Sequence, residues 1–246
     1  MTSDRAAARA PRLASADATE RACPFGACDG SGWILGPEDV ARPCECRERR
    51  RSRARSRGVA SVIPAKYRGA SFDRPPVTDM DATVVDDIRG YIEDIDANLE
   101  AGRGLWLTGD VGTGKTTLAM LVSKAALEGG YSVAIYSLPR LLARIRRTYD
   151  ADAGEQSYLE FFERLTAVDL LHLDDLGVEK RTDWVLEQLY ALVDERYESQ
   201  RAMVVTTNLD EPDLRQQIGE RTVSRLMEIC GHNVLPLYGP DMRAQA

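Results

Sequence analysis

The 246-residue chain carries a formal net charge of -7, with 43% hydrophobic and 29% charged residues, a mix that excludes wholly disordered, collagenous and membrane-embedded classes. No apolar run approaches the ~20 residues of a membrane helix, and the Ala/Arg-rich start lacks the apolar centre of a secretory signal, so a soluble cytoplasmic protein is expected, with no membrane partner. Charge is divided: residues 1–57 hold twelve Lys+Arg against eight Asp+Glu, whereas the remainder holds 20 against 31, so a polyanion would meet the front end first.

Residues 1–22 are rich in Ala, Arg, Ser and Asp without periodicity and read as a disordered terminus. Residues 23–57 form a cysteine-rich segment running into an arginine series, and 58–78, broken by Pro64, Pro75 and Pro76, reads as a linker to a body at 79–246. From Asp79 to Ala101 apolar residues at Val84, Val85, Ile88, Tyr91, Ile92, Ile95 and Leu99 keep the spacing of one amphipathic helix, ended by Gly102. Strands then fit 104–108, 132–138, 168–173, 202–206 and 233–237, alternating with helices at 115–128, 141–149, 156–167, 183–199, 211–218 and 221–230. Apolar strands alternating with helices predict an α/β fold whose parallel sheet is covered on both faces.

Gly109-Asp110-Val111-Gly112-Thr113-Gly114-Lys115-Thr116 fits G-x-x-x-x-G-K-[ST], between a predicted strand and a predicted helix. Glycines there let backbone N–H groups turn toward phosphate oxygens, Lys115 would reach the terminal phosphates, and the Thr116 hydroxyl would ligate magnesium; Thr117 completes the nucleotide-contacting stretch. About sixty residues later the strand Leu170-Leu171-His172-Leu173 ends in Asp174 and Asp175. Asp174 fits the magnesium site, and Asp175 would orient and deprotonate an attacking water, so hydrolysis of the nucleotide is expected. Asp at the second position, where many ATPases carry Glu, is one methylene shorter and leaves a slow, adaptor-like turnover open. His172 reads as a packed core side chain. The N-K-x-D element that reads guanine is absent, which favours ATP by elimination. Asn208, after Thr206-Thr207 at the end of the fourth strand, fits a sensor of the terminal phosphate, or equally an Asx turn opening the next helix.

Cys23, Cys28, Cys44 and Cys46 offer four thiolates in two close pairs, the donor set of one tetrahedral structural zinc, and Cys230 stands apart. Seven arginines between Arg47 and Arg57 fit either a nucleic-acid or partner contact or a solvated helix. Arg140, Arg144, Arg146 and Arg147, with Tyr149, form a second basic stretch open to the same two readings.

Together IPAKYRGASFDR, LTGDVGTGKTTLA, LLHLDDLGVEKRTDW, VVTTNL and ERTVSRLMEICGHNVLPLYGPDMR, from about Ile63 to Arg243, resemble the bacterial DnaC/DnaI-type replicative helicase loaders and their relative, the IstB transposition helper, ATPases of the AAA+ class. The resemblance implies a P-loop core of strand order 5-1-4-3-2, an ATP-dependent homo-oligomer with ATP at subunit interfaces, and an arginine finger acting in trans. By position in S-R-L that finger is Arg225, with Arg221 competing, and Arg243 in G-P-D-M-R is the sensor-2 arginine contacting ATP in cis. The cysteine segment is similar to the front of some loaders of this type, which favours loading of a replicative helicase onto single-stranded DNA over a transposition helper or a weakly hydrolysing ATP-binding adaptor. A small-molecule kinase would share the phosphate loop but has no need of the Asp pair and the late arginine.

Overall fold

A computed structural model describes residues 23, 25–36, 40–47, 49, 63–149 and 154–242. The expected disordered terminus, most of the arginine run and Arg243 lie outside the described residues. The chain divides between residues 48 and 49 into two compact units.

In the first unit β1 (Trp33–Leu35) pairs antiparallel with β2 (Ala41–Pro43). Cys44 and Cys46, directly after β2, are its buried cysteines. The Arg47 guanidinium lies 4.0 Å over the Trp33 ring, a cation–π contact that covers one face of the indole.

The second unit contains α1 (Ala82–Glu93), α2 (Ile95–Glu100), β3 (Leu105–Thr108), α3 (Lys115–Glu128), β4 (Val133–Ser137), α4 (Leu138–Tyr149) and α5 (Gly154–Ala167). It continues through β5 (Leu170–Leu176), α6 (Asp183–Glu198), β6 (Ala202–Thr207), α7 (Glu211–Ile218), α8 (Glu220–Cys230) and β7 (Val234–Pro236). The five strands β3 to β7 pair in parallel in the order β4-β5-β6-β3-β7, which numbered from β3 is the expected 5-1-4-3-2.

Strand periodicity of two sorts the core into two layers. Trp106, Leu171, Leu173, Met203 and Val205 face a cluster that includes residues of α4, α5, α6 and α8. Leu105, Leu107, Leu170, Ala202 and Val204 face α1 and α3, where Ile88, Leu118 and Val122 are fully buried. Each fully buried Leu or Val contributes roughly 1.5–3 kcal/mol of transfer free energy, so this double-sided burial is what the apolar strands specify.

The helix expected over Asp79–Ala101 is two helices. Asp81 caps the first, accepting from Thr83 N at 2.8 Å and Val84 N at 3.3 Å, and Asp94 interrupts it with φ -96 and ψ 22. Past the break, the buried Asn98 amide donates to Tyr91 O at 3.0 Å and so meets a carbonyl of the preceding helix from the side. The strand expected at 168–173 begins two residues later and runs on to Leu176, through both aspartates. One buried charge organises the N-terminal ends of two interior strands: the Arg196 guanidinium, on α6, donates to Thr166 O and Val168 O at 3.1 Å each and also to Ala202 O. It thereby satisfies carbonyls at the end of α5, the start of β5 and the start of β6. Burial lowers the Arg196 pKa from its ordinary 12.5 to about 9, so the guanidinium stays charged at neutral pH.

The described part of the expected 58–78 linker, from Ile63, folds within the second unit as two short 3-10 turns at Ala65–Tyr67 and Val77–Asp79. Arg49, from the arginine run, also belongs to this unit. Its guanidinium donates to Gly129 O at 2.6 Å, pairs with Asp96 at 2.9 Å and lies 3.9 Å over the Tyr131 ring, so this arginine is engaged by protein groups.

Candidate nucleotide-binding site and cysteine cluster

The loop between β3 and α3 is shaped by residues that only its neighbours explain. Gly109 has φ 125, and a Cβ there would overlap the Leu237 carbonyl, because the chain after β7 runs against the loop and Leu237 N donates to Thr108 O at 2.7 Å. Gly114, at φ 96, is the N-cap of α3, and its missing Cβ leaves the space that Met80 Cε fills. The loop therefore delivers the positive end of α3 into an open cleft. Lys115, buried, donates from Nζ to Gly109 O at 2.8 Å and to Asp110 O. These are the loop's own carbonyls, so the ammonium braces the loop in this state.

The two aspartates are presented by a bulge. Leu173 pairs with Val205 and Leu176 with Thr207, so Asp174 and Asp175 together stand opposite the single residue Thr206. The Thr206 hydroxyl donates to Asp174 Oδ1 at 2.7 Å and accepts from Asp175 N at 2.9 Å. Asp175 takes φ 59, the left-handed region, which Asp tolerates better than most side chains. From the helix side, the Thr116 hydroxyl donates to the same Asp174 Oδ1 at 2.9 Å. Burial raises the Asp174 pKa, but the nearby His172 imidazole and the Thr206 and Thr116 hydroxyls outweigh it and hold the carboxyl below its ordinary 3.8. At neutral pH Asp174 is thus an ionised acceptor next to a hydroxyl, two hard oxygen donors of the kind magnesium takes.

A cleft of about 390 Å³ gathers Gly112, Gly114, Lys115, Thr116, Thr117, Asp175 and Asn208. These expected residues, from the loop, β5 and the end of β6, therefore share one cavity. Lys66, Tyr67, Pro75, Pro76, Asp79 and Met242 complete its wall, and the sequence marks none of them as a site residue: the first four fall in the irregular 58–78 segment, Asp79 at the start of the expected helix and Met242 in the C-terminal G-P-D-M-R. Thr206 joins the site as well, and its sequence signal is the pair of hydroxyl residues, Thr206 and Thr207, that closes an otherwise apolar strand.

Arg225 is placed elsewhere, in a separate hollow of about 330 Å³ with Tyr190, Arg221, Ser224 and Glu228. Its Nε donates to Asp194 at 3.2 Å, its Nη1 lies 3.7 Å from Glu228, and the guanidinium stacks 4.0 Å over the Tyr197 ring. Arg221 is exposed and makes no ion pair among the described residues. On the basic helix α4, Arg140 and Arg147 are exposed, the exposed Arg146 lies 4.6 Å over the Trp184 ring, and Arg144 donates to the Tyr136 hydroxyl at 3.1 Å and lies over Phe161.

In the first unit the sulfurs of Cys23, Cys28, Cys44 and Cys46 all lie within 4.8 Å of one another. Cys23 and Cys44 Sγ are 3.7 Å apart and Cys28 and Cys46 Sγ 3.4 Å. A tetrahedral zinc with ~2.3 Å bonds to sulfur sets its ligands about 3.8 Å apart, whereas a disulfide needs ~2.05 Å, so the spacing fits the metal. Burial raises the Cys23 pKa, but the backbone N–H groups of Cys28, Phe25 and Ala27 outweigh it, and the thiol falls from 9.0 to about 6. Burial, then the neighbouring thiols, push Cys46 upward, the frustration that a shared cation relieves.

The Asp pair makes a direct prediction. Asp175→Asn should lower ATP turnover by about 10²–10⁴-fold, the range of a general base, while nucleotide affinity stays within about threefold. Steady-state phosphate release and a fluorescent-nucleotide titration check it; turnover retained to within about threefold would remove Asp175 from the reaction.

The chain matches the family described as IstB-like ATP binding protein over residues 35–243. It is 25% identical over 195 residues to the replicative helicase loader DnaC of Buchnera aphidicola subsp. Acyrthosiphon pisum, covering 78% of this chain and 75% of that one. It is 31% identical over 119 residues to the uncharacterized protein YdaV of Escherichia coli K12; that match covers 48% of this chain, which thus spans about half (47%) of the relative's length. Among solved structures it is similar to the crystal structure of the DnaC helicase loader, with TM-score 0.60 and 25% identity over 72% of this chain and 100% of that one. Replication initiator DnaA bound to AMPPCP and single-stranded DNA shares the fold, with TM-score 0.59 and 18% identity over 73% of this chain and 52% of that one. A cleft that joins a phosphate loop, Asp175 and Asn208, in a chain matched over residues 35–243, places the protein in the IstB-like ATP-binding family.

Proposed function

We propose that the protein is an ATP-hydrolysing replication accessory factor of the cytoplasm that binds a replicative helicase and loads it onto single-stranded DNA, assembling with further copies of itself on ATP. The observation that carries the hydrolytic part is the shared cleft of Lys115, Thr116, Asp175 and Asn208, with Asp174 bonded to Thr116 beside it. The step from hydrolysis to loading rests on the relatives named replicative helicase loader DnaC.

In this reading Lys115 exchanges the carbonyls of Gly109 and Asp110 for terminal phosphate oxygens, and the N-terminal N–H groups of α3 bind the remaining charge. Thr116 and Asp174 hold magnesium, which when bound neutralises charge that develops on the phosphates. Asp175 accepts the proton of the attacking water, and the Asn208 amide orients that water or the terminal phosphate. Arg225, or the exposed Arg221 beside it, serves the cleft of a neighbouring copy, and Arg243 contacts ATP in its own subunit. For Arg225 that role requires exchange of Asp194 and Glu228 for phosphate. The exposed arginines of α4 offer a backbone contact to single-stranded DNA. The four cysteines hold one structural zinc, with no open position for catalysis.

Two measurements test this. Full-length protein purified without chelator should carry about one zinc per chain by atomic emission, and a Cys44→Ser, Cys46→Ser variant should lose it; a wild-type content below about 0.2 per chain would exclude the site. Light scattering of the protein mixed with its own organism's replicative helicase should show an ATP-dependent complex, lost in Lys115→Ala. Absence of that complex, with assembly on duplex DNA in ATP instead, would favour a transposition helper, the reading that the IstB-like family description supports.

A further inference from the structure

Beneath the Asp pair lies a second polar contact that neither the fold nor the cleft requires. His172 on β5 and Ser123 on α3 are both fully buried, and Ser123 Oγ lies 2.9 Å from His172 Nδ1. Asp174 and His172 are two residues apart and so share one face of the strand; Thr116 and Ser123 are seven apart, two turns along one face of the helix. Helix and strand are therefore joined by two polar rungs, Thr116 to Asp174 and Ser123 to His172, where Leu118, Val122 and Leu170 fill the rest of the interface. A leucine at 172 would satisfy that packing without a buried polar group, whose desolvation costs roughly 1–3 kcal/mol when unpaired.

The other imidazole nitrogen defines what the histidine faces. His172 Nε2 is buried, has no hydrogen-bond partner among the described residues, and lies 3.9 Å from Asp174 Oδ1. Were Nε2 bare, its lone pair would face an ionised carboxylate, so the carboxylate selects the form in which Nε2 carries the proton and the Ser123 hydroxyl donates to Nδ1. Oδ1 already accepts from Thr206 at 2.7 Å and Thr116 at 2.9 Å, which occupies both its lone-pair directions and leaves His172 Nε2–H just out of range. We propose that His172 is a positioning residue for Asp174, a donor held in reserve by Ser123 that keeps the carboxylate oriented and available to magnesium when the Thr116 hydroxyl turns to the metal. The inference rests on the ATP-hydrolysis reading above and assigns that site a support that acts through Asp174, without contact to nucleotide.

The test uses the full chain. His172→Leu fills the space and removes the donor; His172→Gln restores an N–H near the position of Nε2; Ser123→Ala releases the imidazole. Magnesium is titrated against binding of a fluorescent, non-hydrolysable ATP analogue and, separately, against turnover. His172→Leu should raise the half-saturating magnesium concentration by about 10–100-fold, as loss of an outer-shell partner does, with magnesium-free nucleotide binding unchanged, and His172→Gln should recover most of it. A histidine that only packs would leave the magnesium requirement unmoved in His172→Leu, or would show no recovery in His172→Gln; either result overturns the proposal while leaving the hydrolytic reading intact. Wild-type protein that binds no nucleotide with magnesium overturns both. Should the variants fail to fold, ¹⁵N-histidine labelling decides on the wild type, because the chain has only two histidines. A proton on His172 Nε2, with its resonance shifting on addition of magnesium and nucleotide, supports the proposal. A bare Nε2, or a resonance indifferent to the metal, overturns it.

Discussion

One carboxylate oxygen ties together the three elements that make the cleft. Asp174 Oδ1, on β5, accepts from Thr116 at the first turn of α3 and from Thr206 on β6, while the same Thr206 hydroxyl receives the Asp175 amide. The bulge follows from this: with two β5 residues opposite one residue of β6, a single threonine sets the directions of two acids. The parallel sheet then brings the end of β6, and Asn208 with it, beside the phosphate loop, since β6 lies between β5 and β3. The chemistry of the cleft is a consequence of strand order acting through a few hydroxyls.

Much of this was legible in the sequence because it is local. The phosphate loop needs glycine at fixed offsets before a helix, and the strands needed only uninterrupted apolar runs, which parallel sheets buried on both faces produce. What was illegible is tertiary. The break at Asp94 leaves the apolar spacing of 79–101 intact, so periodicity cannot show it. The wall formed by Lys66, Tyr67, Pro75 and Pro76 comes from a segment whose prolines signal only that it is irregular. His172 read correctly as a core side chain, yet its Ser123 partner is 49 residues away and visible only in three dimensions. Arg49 and Arg196 carry charges whose partners lie far along the chain, and the fold engages both with protein groups.

The family match and the site geometry bear on different parts of the problem. The match, over residues 35–243, includes all five strands of the parallel sheet and the late arginines, and it establishes ATP binding as the family property. The geometry explains how this chain would hold the nucleotide. In the first unit, short strands leave little apolar surface to bury, and small units of that kind depend on cross-links or metal for stability. Four thiols at zinc-like spacing fit that need.

The account depends on the Thr206 hydroxyl as the link between the two aspartates, and Thr206→Val removes it at constant shape. Measuring ATP turnover of this variant alongside its unfolding free energy is the most direct test. The account predicts a loss of at least about tenfold in turnover together with a stability loss of about 1–3 kcal/mol from the unsatisfied Asp175 amide and the weakened Asp174 contact. A folded variant that hydrolyses ATP at the wild-type rate would contradict it.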